Sequence, residues 1–258
     1  MARPDELLGI AADVAQAAGA LLRDRFGDPA AGVQAKTTPT DLVSDADHAA
    51  EDVIRGLLAE RRPRDGVLAE ETGDHPGDSD LRWVIDPLDG TVNFLFGIPH
   101  WAVSVACEDA VGTLAGVVCD PLRDETFAAC REGAAMRNGK PIAGSDSTDL
   151  DTSLVATGFS YDAAVRARQA EVASRLLPAV RDLRRFGSAA LDLAWTACGR
   201  YDAFYERGLE RWDRVAGALI CARAGLTLRE LGAADAVPAG LLVAPAALVE
   251  DLEALVAG

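Results

Sequence analysis

Six consecutive residues, Asp86-Pro87-Leu88-Asp89-Gly90-Thr91, end an apolar run (Leu81, Trp83, Val84, Ile85) and set two carboxylates and a hydroxyl where a buried strand meets the next element. Pro87 should stop the strand ladder, Gly90 lets the backbone approach a ligand, and Thr91 is placed to cap a helix whose free N–H groups attract an anion. An anion beside two carboxylates is repelled unless a cation lies between them, so the pattern points to a divalent metal. Further acids stand at element ends: Glu70, Asp86, Asp89 and Asp213, with Asp47 and Glu206 in comparable positions. A donor set of hard oxygens without His or Cys suits magnesium, which keeps waters and prefers a site completed by substrate phosphate. Two such ions roughly 3.5–4 Å apart clamp a phosphoryl group, one generating hydroxide and the other steadying the leaving alkoxide. The chemistry indicated is hydrolysis of a phosphate monoester. Asp86 and Asp89 can each bind metal with Asp89 bridging, and the Leu88 carbonyl between them is a further candidate ligand.

Several of these acids have a plainer reading. Asp41 and Asp47 flank the start of a helix signalled by Ser44 and favour its dipole, as Asp213 does for the helix that follows Trp212. Glu70 and Glu71 together read equally as a solvated loop edge. From residues alone, Asp47 remains a helix-start acid.

The elements that must position these groups follow from periodicity. Apolar residues from Leu7 to Phe26 recur at helical spacing, and a second helix follows Ser44 through Leu58. Residues 66–71 form a strand ending in the two glutamates, and a loop over 72–80 leads to the apolar run before Asp86. Strands over 101–107, 113–119 and 125–130 suggest an antiparallel meander, with turns at Gly133 and Asn138-Gly139. A strand at 154–158 and a helix at 163–177 follow. Gly187 and Ser188 introduce a helix through Cys198, and a strand over 201–205 carries Glu206 at its end. The helix from Trp212 has the face Ala216, Leu219, Ile220 and Ala224; strands at 226–228 and 241–244 and a helix at 246–255 close the chain. The expected organisation is one domain over 1–258 with two closely packed halves, about 1–148 and 149–258.

The 258 residues are 49% hydrophobic, enough for a large core, and carry a net charge of −16. That charge argues against nucleic-acid and membrane-surface partners, which demand clustered Lys and Arg. The five cysteines show no Cys-x-x-Cys pair, so they read as small core residues of a reduced protein. No leader-like or membrane-spanning stretch is evident, and the expected location is the cytoplasm. His48, His75 and His100 fall in no ligand spacing and read as surface or packing residues; Arg184 and Arg185 are placed to reach a substrate phosphate or a partner subunit, but read first as an exposed charge pair.

Asp86-Pro87-Leu88-Asp89-Gly90-Thr91 and Trp212-Asp213-x-x-Ala216-Gly217, with Glu70-Glu71 upstream, resemble the two signatures of the inositol monophosphatase family of lithium-sensitive, magnesium-dependent phosphatases. The likeness runs from Lys36 to about Gly225 and into the flanking helices. It implies an α/β fold layered as an α-β-α-β-α sandwich of mixed and antiparallel sheets, similar to fructose-1,6-bisphosphatase, and a homodimer. It also implies two or three magnesium ions, with manganese as a possible substitute. Their ligands would be Glu70, Asp86, the Leu88 carbonyl, Asp89 and Asp213, with Asp41, on the loop that holds Lys36, completing a weaker third site. Thr91 paired with Asp47 would polarise the attacking water, with Glu70 in the catalytic set. The Gly90 and Thr91 amides would hold phosphate beside Asp89, and Ala189, Glu206 and Asp213 would face the alcohol. Ala69 stands where Gly or Ser is common, and Ala224-Gly225-Leu226-Thr227 replaces a double glycine; neither removes a ligand. The substrate implied is inositol 1-phosphate or a similar small polyol phosphate, in preference to histidinol phosphate, fructose 1,6-bisphosphate or 3′-phosphoadenosine 5′-phosphate. A protein retaining this fold only to bind a partner should have lost a ligand, and this chain has lost none.

Overall fold

The computed structural model describes residues 3–28, 32–36, 38, 41–234 and 237–257. In chain order, α1 (Pro4–Arg25) leads to a small antiparallel pair, β1 (Gln34–Ala35) and β2 (Leu42–Val43), and then to α2 (Asp45–Arg61). β3 (Gly66–Ala69), β4 (Gly73–His75) and β5 (Arg82–Asp89) precede the short α3 (Thr91–Leu95). A meander follows: β6 (Ala102–Asp109), β7 (Gly112–Asp120), β8 (Glu125–Cys130), β9 (Met136–Arg137) and β10 (Lys140–Pro141). The remainder comprises β11 (Leu154–Thr157), α4 (Ala163–Leu176), β12 (Asp182–Arg184), α5 (Ala189–Ala197), β13 (Ala203–Arg207), α6 (Arg211–Arg223), β14 (Thr227–Leu231), β15 (Gly240–Ala244) and α7 (Val249–Val256).

Two sheets result. The first has eight strands in the order β10-β9-β8-β7-β6-β5-β3-β4, antiparallel except for β3 beside β5. The second has five in the order β12-β11-β13-β15-β14, with β11 parallel to both its neighbours and the other pairs antiparallel. Strand alternation explains the layering, because side chains of period two serve opposite faces. On β5, Trp83 and Ile85 pack with α1 and α2 while Val84 faces α5 and α6. On β15, Leu241 and Val243 join that middle layer, and Leu242 and Ala244 pack against α4 and α7 on the far side. Helices, sheet, helices, sheet and helices therefore stack in sequence, an α/β sandwich of mixed and antiparallel sheets.

Small residues let the middle helices lie close. A Cβ on Gly116 of β7 would lie 2.9 Å from Ala216 Cα, and one on Gly217 would lie 2.6 Å from Leu193 Cβ, so the Ala216-Gly217 pair seats α6 between β7 and α5. Burial in the same layer covers Ile220, Cys221 and Phe204 completely. Among the described residues no helix is long and apolar enough to cross a membrane. All five cysteines are free thiols, Cys198 partly exposed and the rest buried.

Two local expectations need correction. β5 does not stop at Pro87: it runs on to Asp89, and its pairing with β6 slips in register between Asp86 and Asp89. A proline without an N–H is absorbed as an irregularity there, which aims Asp86 and Asp89 differently. Thr91 is not the cap of α3. Gly90, at φ 96°, takes that position, and the Thr91 hydroxyl is released for other partners.

Candidate active site

The site lies in a cavity of about 810 Å³ lined by Asp41, Glu70, Asp86, Leu88, Asp89, Gly90, Thr91, Ala189, Glu206 and Asp213. Asp47 lies just behind that lining. Its Oδ1 accepts the Thr91 hydroxyl at 2.8 Å, and its Oδ2 accepts the Ser44 N–H and hydroxyl at 2.8 and 2.7 Å. Asp47 is thus both the third-position acid of the α2 capping box, whose N-cap is Ser44, and the partner of Thr91, 44 positions away. The Thr91 oxygen also lies 3.1 Å from the Leu88 carbonyl.

Each acid is delivered by a separate element. Glu70 follows β3, its N–H donating to the Ile85 carbonyl at 3.1 Å, which keeps it level with β5. Asp86 and Asp89 come from β5, and Asp213 sits in the first turn of α6, where its Oδ2 accepts the Glu210 N–H at 2.7 Å. Asp89 reaches across the molecule: it accepts the Ser188 hydroxyl, the Ala190 N–H at 2.7 Å and the Ala189 N–H at 3.3 Å. That link ties the end of β5 to the start of α5 and brings Ala189 into the cavity. Glu206 lies within β13, one residue before its end.

The partners of two residues in this arrangement escaped the sequence. Ser188 was legible as the cap of α5, but its contact with Asp89 spans 99 positions. Glu51, one turn after Asp47 on α2, accepts the Glu71 N–H at 2.9 Å and the Thr72 hydroxyl at 2.5 Å, and so holds the turn that carries Glu70. Arg185 is exposed, as expected, and it also lines the cavity.

The inositol monophosphatase family model matches residues 3–256. The chain belongs to that family. It is 41% identical to the inositol-1-monophosphatase SuhB of Mycobacterium tuberculosis across 96% of this chain and 92% of that protein. It is 42% identical to the Nus factor SuhB of Escherichia coli K12 across 85% of this chain and 83% of that protein. Among solved structures, the extragenic suppressor protein suhB from Bartonella henselae superposes with a TM-score of 0.89 at 35% identity, covering 96% of both chains. Membership makes the chain a phosphatase of the inositol monophosphatase type.

The electrostatics test whether such a site wants a cation. Burial, then Glu70, Asp89 and Asp213, pushes the Asp86 carboxyl well above the usual carboxylate range. Asp213 is raised by burial, Asp89 and Glu70. Asp89 is pushed up to about 6 by burial, although the Ser188 and Ala190 hydrogen bonds oppose it. These acids crowd one another without enough positive charge between them. Lys36 supplies part of it: its Nζ lies 2.7 Å from Glu70 Oε1 and 2.6 Å from Glu71 Oε1. Burial alone would lower the Lys36 pKa, but the two glutamates outweigh it and raise it. Among the described residues no three acidic, His or Cys side chains already converge on a single cation position, and Glu70 faces Lys36. The donors fit magnesium in kind, all oxygen and in excess negative charge.

A stability test follows. With divalent cations chelated, raised carboxyls favour the folded state only while protonated, a contribution present near pH 4 and lost as pH rises through about 6 for Asp89. For Asp89 this is on the order of 2–3 kcal/mol. Magnesium needs the ionised acids, so its addition should raise Tm by several degrees at pH 8 and much less at pH 5. Scanning calorimetry with and without magnesium reads the difference; equal shifts at both pH values would contradict it.

Proposed function

We propose that this chain is a cytoplasmic, magnesium-dependent phosphomonoesterase that hydrolyses inositol 1-phosphate, or a similar small polyol or sugar phosphate, to the alcohol and inorganic phosphate. The supporting observation is the crowding of Glu70, Asp86, Asp89 and Asp213 at one end of the cavity, beside the Thr91–Asp47 hydrogen bond. Magnesium would be held by Glu70, Asp86, the Leu88 carbonyl, Asp89 and Asp213, with Asp41 at a weaker third position; manganese could substitute and lithium would inhibit. When bound, it supplies the charge that binds phosphate and activates water.

The chain's own residues do the rest. Thr91 donates its proton to Asp47, which leaves an oxygen lone pair free to accept a hydrogen bond from the attacking water and orient it. Asp47 is buried and held on its other oxygen by Ser44, so the pair does not rotate away. The Gly90 and Thr91 amides, presented by the left-handed Gly90, hold the phosphate oxygens. Lys36, 2.7 Å from Glu70 Oε1, would have to yield that oxygen for Glu70 to serve as a metal ligand. Ala189, Glu206 and Asp213 face the alcohol. The whole chain acts as one domain whose halves, about 1–148 and 149–258, supply the metal end and the alcohol end. Phe96, Ile98 and Phe186 are exposed together around Asn93 and His100, and we read this apolar patch as the contact of a homodimer, checked by the mass in solution.

Phosphate release from a panel of esters with magnesium tests the substrate. Inositol 1-phosphate should exceed histidinol phosphate, fructose 1,6-bisphosphate and 3′-phosphoadenosine 5′-phosphate; equal or greater turnover of histidinol phosphate overturns that choice. The name Nus factor carried by the E. coli relative favours a second reading, a role in binding. A protein kept for binding alone would release no phosphate from any of these esters.

A further inference from the structure

The alcohol end of the cavity is walled by Phe159 and Tyr161 after β11, by Arg185 and Gly187 before α5, and by Glu206 on β13. Eight acidic side chains line the whole cavity against three basic ones. Two of those bases are engaged. Lys36 holds Glu70 and Glu71, and Arg207 donates to the Gly232, Pro238 and Val256 carbonyls at 2.8, 3.0 and 3.1 Å. Arg185 is different: among the described residues its one hydrogen bond is a long contact of 3.4 Å to the Phe159 carbonyl. A guanidinium carries five N–H donors, so most of the capacity of this exposed, cavity-lining side chain is unspent.

Its position is built by the backbone. Gly187, at φ +87°, passes beside the guanidinium, and a Cβ there would overlap Arg185 Nη1. The Glu206 carboxylate rests on Gly158 in the same way, where a Cβ would overlap it, one residue from the Phe159 carbonyl that Arg185 touches. Two glycines therefore clear space for one cation and one anion on the Gly158–Phe159 backbone. Among the described residues the Glu206 carboxylate makes no hydrogen bond and forms no direct ion pair with Arg185, so both present unused polar groups to whatever enters.

We propose that Arg185 is a specificity-determining residue for the alcohol half of the substrate: it donates to hydroxyl oxygens beside Glu206, which the reading above already places at the alcohol. The proposal rests on the phosphatase reading above. Each hydroxyl is at once donor and acceptor, so a vicinal pair satisfies both side chains, whereas an alcohol without hydroxyls leaves them desolvated and unpaired. The ligand class is a neutral, densely hydroxylated ring or chain bearing a single phosphate. Charge disfavours a second anionic group. Even two divalent cations at the carboxylate end would leave a cavity with eight acids and three bases without net positive charge.

The test compares the wild type with Arg185→Ala on inositol 1-phosphate, fructose 1,6-bisphosphate and phenyl phosphate at saturating magnesium. The substitution should lower kcat/KM for inositol 1-phosphate by about 10-fold or more, chiefly through KM, and change phenyl phosphate by less than about 3-fold. An equal loss on phenyl phosphate would place Arg185 on the phosphate, and a loss confined to fructose 1,6-bisphosphate would make it a second-anion site; either overturns the proposal. Calorimetric binding of free inositol, with magnesium and inorganic phosphate present, decides the matter without turnover. Weaker binding to Arg185→Ala supports the role, and equal binding refutes it. Failure of the wild type to cleave any ester would instead count against the phosphatase reading.

Discussion

Asp89→Asn should lose on the order of 10³-fold or more in kcat while the protein becomes no less stable. The two halves of that expectation have separate causes. Asp89 is buried at 9% exposure, and its oxygens accept the Ser188 hydroxyl and the Ala189 and Ala190 N–H groups. An amide of the same shape with its oxygen in the place of Oδ2 still accepts the Ser188 hydroxyl and the Ala190 N–H, and gives up only the long 3.3 Å contact from the Ala189 N–H at Oδ1, so the junction between β5 and α5 persists. What disappears is the negative charge that would bridge cations. That charge is costly without them, since burial pushes the Asp89 carboxyl up to about 6. At pH 8 with metals chelated, the variant should therefore melt at the same temperature as the wild type or a few degrees higher. Its magnesium-dependent rise in Tm should shrink. Steady-state phosphate release and calorimetry on one preparation separate the effects; turnover within a few-fold of wild type would remove the metal mechanism.

The site was more legible than its supports. Glu70, Asp86, Asp89 and Asp213 stand at strand ends and helix starts, where local pattern marks a junction and oxygen-only donors name the metal class. Most long elements could be read for the same reason. α1, α2 and α6 have apolar residues at helical spacing, and β6 to β8 alternate between two buried layers. The short strands β1, β2, β4, β9, β10 and β12, of two or three residues, span too little chain to show a period, and tertiary pairing alone creates them. β13 lies two residues beyond its expected span, so Glu206 falls inside the strand. Contacts at long separation were invisible in principle: nothing near Ser188 announces Asp89, and nothing near Glu51 announces Glu71. Pro87 misled for a physical reason. A missing N–H forbids a regular ladder but permits a register slip, and the slip is what separates the aims of Asp86 and Asp89.

Asp47→Asn should reduce kcat by about 10²–10³-fold with KM nearly unchanged, and the reason lies in which way the new amide must turn. Ser44 N–H is an obligate donor to Asp47 Oδ2 at 2.8 Å, so the amide oxygen stays there and preserves the cap of α2. The NH₂ then faces Thr91, where the carboxylate oxygen had accepted its hydroxyl at 2.8 Å. Two donors cannot face each other. The Thr91 proton must swing toward the Leu88 carbonyl, 3.1 Å away and itself a candidate metal ligand, and the hydroxyl loses the negatively charged acceptor that made its oxygen a better acceptor for the water. Stability should fall by no more than about 1 kcal/mol, because the cap survives. Thr91→Val removes the same relay from its other end and should cost a similar factor, whereas Thr91→Ser keeps the hydroxyl and should stay within about 10-fold of wild type. Because the two residues act as one unit, the double variant Asp47→Asn with Thr91→Val should be scarcely slower than either single one. Losses that multiply in the double variant would show that Asp47 and Thr91 act separately, and the water would have to be oriented by another group.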